Sequence, residues 1–321
     1  MQDFVQKVFA VRHGSEDVRL DSRSGGAFTA LSDVILRDHG VVYGCILDDQ
    51  LRAVHVRATD GALRDRMRGS KYVQSDLSDT FKGVAVDLKA GQVVMFTGTP
   101  CQIAGLKAYL SGVDTTNLLC VDLLCHGVPS PVVLRDYLQW QNKTGTEISR
   151  FDFRNKQKYG WNSHIETVYY ANGTHRDSRV YSTIFYGHCA LRPSCYQCPY
   201  RSTQRQGDIS LGDYWGVDAA APGINDNKGV SCVLINSQKG EYYFNEIKED
   251  ITSYETRMTD CMQPALAENF PRPGNREMFW EDYRRRPFRY IAKKYGRYRL
   301  ADQCKFVLKC MRLKLTKYRG K

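Results

Sequence analysis

Two short apolar runs flank an amphipathic stretch in the first half of the chain, and this arrangement constrains the fold more than any other feature. Val93-Val94-Met95-Phe96 and Leu118-Leu119-Cys120-Val121-Asp122-Leu123-Leu124 read as strands, while Ile103, Leu106, Lys107 and Leu110 recur at helical spacing between them. A strand, helix, strand unit places its strands parallel, with their C-terminal ends side by side. Thr97-Gly98-Thr99-Pro100-Cys101-Gln102 closes the first strand and Cys125-His126-Gly127 the second. Cys101 and Cys125 are therefore expected at one sheet edge, where open α/β sheets place ligands. The expected fold class is α/β: a mixed, largely parallel central sheet flanked by helices, followed by a basic helical C-terminal tail.

A chain of 321 residues can bury a sizeable core. Residues 1–255 are expected to form the α/β part, as one domain or two subdomains joined near residue 150, and residues 256–321 a basic helical extension. From Arg284 onward fifteen Lys and Arg face one acid, Asp302; that +14 exceeds the whole chain's +11 and leaves the first 283 residues at −3. The positive charge is thus local and does not mark a nucleic-acid-binding fold. Within the tail, Lys305, Lys309 and Arg312 share one helix face and Val307, Leu308, Met311 and Leu315 another. That pattern suits a membrane surface, an acidic partner, or docking on the protein's own body. No apolar run approaches the about 18 residues of a spanning helix, and no signal-peptide core opens the chain, so a cytoplasmic protein is expected.

Eleven cysteines without the density of a secreted disulfide framework must be explained by spacing. Cys195-Tyr196-Gln197-Cys198, followed by Pro199, suits a metal or cluster, a redox dithiol, or half a zinc site. Near the N-terminus, Ser24-Gly25-Gly26 precedes a helical pattern carried by Phe28, Leu31, Val34 and Ile35, with Ser24 as its expected N-cap. Such a helix start either offers N–H groups to a phosphate or is simply a capped surface helix. Val41–Leu47 and Leu51–Val56 fit two strands around Asp48-Asp49, and a helix is expected over Asp76–Lys89. Lys71 and Tyr72 suit an anionic cofactor or solvent. Phe151–Lys156 with Trp161 reads either as a basic, aromatic ligand face or as a solvated hairpin turning at Asn172-Gly173.

Taken in order, Gly98-Thr99-Pro100-Cys101-Gln102, Leu124-Cys125-His126-Gly127, Arg192-Pro193-Ser194-Cys195 with Cys198, Gly207-Asp208-Ile209 with Gly212-Asp213, and Lys228-Gly229-Val230-Ser231 closely resemble the coenzyme F420 hydrogenase/dehydrogenase beta-subunit family. Ser24-Gly25-Gly26 and Gly69-Ser70-Lys71-Tyr72 fit its N-terminal part. The resemblance implies an oxidoreductase with FAD and a 4Fe-4S cluster side by side. Its implied cluster ligands are Cys101, Cys125, Cys195 and Cys198, with Cys120 and Cys189 as possible substitutes. The flavin phosphates are assigned to Ser24, Gly25 and Gly26 with Lys71 and Tyr72, and the flavin ring to Thr97, Gly98, Thr99 and Pro100 beside Gln102. His126 is expected to donate a proton near the flavin or to bond a cluster sulfur. Arg154, Lys156 and Trp161 are expected on the side of an anionic organic acceptor. Longer relatives carry an N-terminal ferredoxin-like module absent from this sequence, so a separate donor such as a ferredoxin is expected. The competing expectation is a structural zinc or cluster protein that uses its basic tail to bind an acidic partner or membrane.

Overall fold

The computed structural model describes residues 4–142 and 145–319, with side chains as far as residue 313. Among the described residues the strands are β1 (Lys7–His13), β2 (Val41–Leu47), β3 (Ala53–Ala58), β4 (Val94–Gly98), β5 (Leu118–Leu123), β6 (Ile148–Asp152), β7 (Glu166–Tyr170), β8 (His175–Ser178), β9 (Ile209–Asp213), β10 (Ser231–Ile235) and β11 (Ile251–Thr256). Eight of them form one sheet in the order β11-β1-β10-β9-β5-β4-β2-β3. The run β2, β4, β5, β9 is parallel throughout, and β3, β10 and β11 run against it. Because β1 is antiparallel to β10, it points the same way as the central four.

The predicted strand, helix, strand unit is present: β4, the helix Pro100–Tyr109 and β5, with Phe96 opposite Cys120 and Gly98 opposite Asp122. Thr99 and Gln102 form a capping box with Pro100 at the first helical position, which explains the sharp turn out of β4. Both faces of the central strands are covered, hence their unbroken apolar sequences. Met95, Leu119 and Val121 pack with Leu31, Val34 and Ile35 on one side. Val94, Phe96 and Leu118 pack with Ile103 and Leu106 on the other.

Strands β6, β7 and β8 make a separate antiparallel sheet. The Asn172-Gly173 turn expected of a hairpin joins β7 to β8, and β6 pairs with the other side of β7. Phe151, Phe153 and Val168 of this lobe pack with Tyr137, Tyr181, Phe279, Ile291 and Ala292. The last three come from the helices Arg276–Arg285 and Phe288–Lys294, so the basic C-terminal region contributes apolar side chains to this second core.

Two local expectations are corrected. The helix Ala27–Arg37 is capped by Gly26 in a left-handed conformation (φ 95°), because the Ser24 hydroxyl instead donates to the Val230 carbonyl at 2.6 Å. The helix expected from Asp76 begins at Thr80, since Asp76 is drawn into a bridge with Val54. No helix among the described residues is long and apolar enough to cross a membrane.

Candidate functional site

The direction of the sheet gathers the motifs. β1, β2, β4, β5 and β9 all end at one edge and β10 begins there, which brings Gly25-Gly26, Cys101, Cys125, Asp213 and Ser231 to the same side of the molecule.

Cys101 lies exposed in the first turn of the helix after β4, with Thr99 Oγ1 3.1 Å from its sulfur. Cys125 follows β5, and its sulfur accepts the Gly127 N–H at 3.3 Å. Cys195 belongs to the 3-10 turn Pro193–Gln197, and Cys198 comes directly after it. This turn is held over the end of β5 by a bridge between Pro129 and Leu191 and by the Arg192 N–H donating to Val128 O at 3.0 Å. A β-carbon on Gly127 (φ 111°) would stand 3.0 Å from Leu191 and 3.5 Å from Cβ of Cys195, so the turn and the Cys125 loop meet closely.

Charge couples Cys125 with Cys101 and Cys195, and Cys195 with Cys101 and Cys198. Burial pushes Cys125 up to about 12, the Gly127 N–H opposes that shift, and negative charge on Cys101 and Cys195 adds to it. Cys195 is raised by burial and, further down, by Cys101 and Cys198. Arg201 is the cation beside Cys125, Cys198 and Cys195. Its Nη2 donates to His126 O at 2.5 Å, and its guanidinium lies 3.9 Å over the Phe270 ring. Raised thiols such as Cys125 and Cys195 resist ionisation unless a positive centre sits beside them, as a metal cluster would. Among the described residues, no group of three or more His, Cys, Asp or Glu side chains is arranged to hold a single metal ion. Cys120 lies inside β5, and Cys189 donates to Asn275 Oδ1 at 3.0 Å.

His126 points its Nε2 at that of His188, 2.8 Å away, and packs on Phe270. Burial, with His188 and Arg201 adding, lowers its pKa to about 3, so the ring is neutral near pH 7.

The glycine pair serves close packing. A β-carbon on Gly25 would lie 2.1 Å from Val11 O and 2.6 Å from Ser231 N, and one on Gly229 (φ 101°) 2.5 Å from Ser24 O. Ser24-Gly25-Gly26 and Lys228-Gly229-Val230-Ser231 therefore interlock backbone against backbone, with the Gly25 N–H donating to Ser231 Oγ at 2.9 Å. Lys71 donates to the Arg66, Met67 and Arg68 carbonyls at 3.0, 2.9 and 3.0 Å, and burial lowers its pKa to about 8. Tyr72 stacks on Phe185 at 4.9 Å. In the turn after β4, Thr97 Oγ1 donates to Tyr43 O at 3.1 Å and Gln102 Nε2 to Ser75 Oγ at 2.9 Å.

Arg154, Lys156 and Trp161 are buried and networked rather than solvated. Arg154 pairs with Asp213 at 2.7 Å and donates to Tyr72 Oη at 3.2 Å and to Trp161 O at 2.6 Å. Trp161 Nε1 donates to the other Asp213 oxygen at 2.9 Å, and its ring stacks on Trp215 at 5.1 Å. Lys156 donates to the carbonyls of Ser24 (2.9 Å), Lys228 (2.7 Å) and Arg19, which ties this network to the glycine pair. His164 stands between the partly exposed rings of Tyr186 (5.0 Å) and Trp215 (6.1 Å).

The residue that sequence reasoning missed is Arg23. Its Nη1 donates to Arg154 O at 2.5 Å, while its Nε and Nη2 are buried with no partner among the described residues, as are Ser22 Oγ, Ser163 Oγ and His164 Nδ1. Burial and the neighbouring Arg154 pull its pKa down. Buried donors almost always have acceptors, so this set fits an anionic ligand group beside Ser24-Gly25-Gly26. Its sequence signal was a lone cation directly before a glycine pair.

A mixed α/β sheet with four thiols and a buried basic network at one edge is the framework of a class of redox proteins. The chain belongs to the coenzyme F420 hydrogenase/dehydrogenase beta-subunit family: the family defined by the C terminus of the coenzyme F420 hydrogenase/dehydrogenase beta subunit matches residues 91–260. Among solved structures, the F420-reducing NiFe hydrogenase complex from Methanosarcina barkeri, in a xenon-derivatised form, is similar with a TM-score of 0.54 and 16% identity, over 94% of this chain and 91% of that one. That likeness shows a shared fold. No curated protein matches the chain.

Proposed function

We propose that this chain is a cytoplasmic iron-sulfur flavoprotein oxidoreductase, passing electrons between a 4Fe-4S cluster and FAD with hydride transfer to or from an organic acceptor, deazaflavin-type or other. The observation that carries this reading is the close approach of the Cys125 loop to the Cys195 turn at Gly127, beside the neighbouring strand end that carries Cys101 and at the edge that also holds the buried cations. Four thiolates are what a cubane needs. When bound, the flavin exchanges electrons in pairs as hydride and the cluster exchanges them singly, which couples the two kinds of traffic.

The chain's own residues divide the remaining work. Cys101, Cys125, Cys195 and Cys198 would hold the cluster, with the Gly127 N–H and Arg201 stabilising negative sulfur. Arg23 and the Gly26 end of the helix Ala27–Arg37 would take the phosphates beside Tyr72, while Ser24-Gly25, held against Ser231, and Lys71, held by three carbonyls, would shape that end of the site. Thr97, Gly98, Thr99, Pro100 and Gln102 would line the flavin ring. Arg154 acts as a positioning residue, fixed by Asp213 so that Tyr72 and Trp161 keep their places. Neutral His126, directly after Cys125 and turned to His188, would bond a cluster sulfur or hold a proton near the flavin, and Lys156 and Trp161 would close the acceptor side. Cys101, exposed, is where a ferredoxin or another iron-sulfur donor would approach.

Anaerobic purification followed by iron, acid-labile sulfide and flavin analysis tests the reading. Near-stoichiometric iron and sulfide with one FAD is expected, with the iron signal lost in Cys195→Ser. A colourless protein holding zinc without sulfide would overturn it in favour of a structural metal site.

A further inference from the structure

The C-terminal helix Leu300–Arg319 meets the body through a half-buried side. It packs against the helix Lys156–Tyr159, and Phe306, Cys310 and Leu313 on that side are half-buried. Leu300, Cys304, Val307, Leu308 and Met311 recur at i, i+4, i+7, i+8 and i+11, which sets them on a different stripe. Leu300 is 79% exposed, Val307 49%, Leu308 66% and Met311 56%, and Cys304 is also exposed. Leu315, expected on this stripe, lies outside the described side chains.

An apolar stripe left in water on a helix already anchored by its other side needs an occupant. The charge around it selects one. Lys305 and Arg312 border the stripe on one side, with Lys309 beyond them and Arg297 and Arg299 just before the helix's first turn, against the single acid Asp302; on the preceding helix Arg286 stands over the exposed Tyr290. A second copy of the chain would bring the same positive surface against itself. An anionic lipid surface satisfies both features together, with apolar side chains entering the acyl boundary and lysines and arginines meeting headgroup charge. The helix is too polar to span a bilayer, and lying in the interface asks nothing further of it.

We infer that the stripe of Leu300, Val307, Leu308 and Met311, with its surrounding lysines and arginines, docks this protein on an anionic membrane surface. This goes beyond the proposed redox reading and does not depend on it. The test is flotation of the full chain with vesicles of phosphatidylcholine alone or with about 30% phosphatidylserine, at two salt concentrations. The full chain is expected to float only with the anionic vesicles and to be released by high salt. Leu308→Asp combined with Met311→Asp, and separately Lys305→Glu, are expected to weaken binding at least tenfold and severalfold, with an unchanged circular-dichroism melt showing that the fold persists. Absence of binding to the anionic vesicles would overturn the inference, as would full binding by the double variant. It would equally fall if the full chain eluted as a dimer that Leu308→Asp dissolved, or if the stripe captured only an acidic ferredoxin. Neither outcome would touch the iron, sulfide and flavin analysis.

Discussion

His55 is 8% exposed, stacked 5.6 Å from the Phe96 ring, with Nε2 3.0 Å from the Thr97 carbonyl. Burial lowers its pKa from the ordinary 6.5 to about 4, and the Thr97 contact only partly opposes that shift. Between those values the unfolded chain binds a proton that the folded chain refuses. Stability is therefore lost as pH falls from about 6.5 toward 4, with a limiting slope of about 1.4 kcal/mol per pH unit for this one group. Urea denaturation between pH 4.5 and 6 is expected to show His55→Gln with a slope shallower by about that amount; an unchanged slope would assign the effect to another group. The contrast between legible and illegible residues lies at this scale too. Cys101 and Cys125 stood out as thiols in turns after apolar runs and Cys195 and Cys198 by their Cys-x-x-Cys spacing, and a cluster shared by all four is proposed on that footing. Arg23 and Arg201 did not, because an arginine in a polar stretch looks solvated until distant segments close over it. Arg154, Lys156 and Trp161 were found as a cluster, but their burial depends on Asp213 and the Lys228 loop, far along the chain.

Among the elements, the loop after Cys198 is stapled to β5 by a buried ion pair. Arg205 Nη2 meets Asp122 Oδ1 at 2.8 Å, with side chains 1% and 0% exposed, and Asp122 also accepts the Gln206 and Gly207 N–H groups. Removing one member of such a pair leaves the other charge buried and typically costs about 3–5 kcal/mol. Arg205→Met is expected to lose stability on that scale in urea denaturation and to lower iron content, because the loop carrying Cys198 loses its anchor on β5. Full stability and full iron would show the staple to be dispensable. The apolar periods of β4, its helix and β5 were plain in the sequence because burial on both faces writes a local pattern. β8 was announced only by the Asn172-Gly173 turn before it, since His175-Arg176-Asp177-Ser178 is polar and pairs on the strength of β7 beside it. The cap of the helix Ala27–Arg37 was misplaced for the same kind of reason: Ser24 is claimed by a carbonyl more than two hundred residues away in sequence.

For the whole molecule, the four thiols are drawn from two cores. Cys101 and Cys125 belong to the ends of the main sheet, while Cys195 packs with Phe185, Leu191 and Tyr196 beside the second lobe. A centre bound by all four would clamp the lobes together. Anaerobic chelation is expected to lower the melting temperature by at least about 4 °C, taking a loss of about 2 kcal/mol at about 2 °C per kcal/mol for a chain of this size. Cys195→Ser should melt at the lower temperature from the start and ignore the chelator. Nothing local in the sequence announced that β1 would lie between β10 and β11, because the pairing of residues 7–13 with residues 231–256 carries no signature in either segment. That placement governs the order of assembly. Among the described strands β1 precedes both of its sheet partners by more than two hundred residues, and only after β10 has been translated can the Gly25 crossing against Ser231 form. Closure is necessarily long-range and late. An anion seated beside Ser24-Gly25-Gly26 must therefore arrive after residues 231–256 have joined β1 rather than while they are still being made.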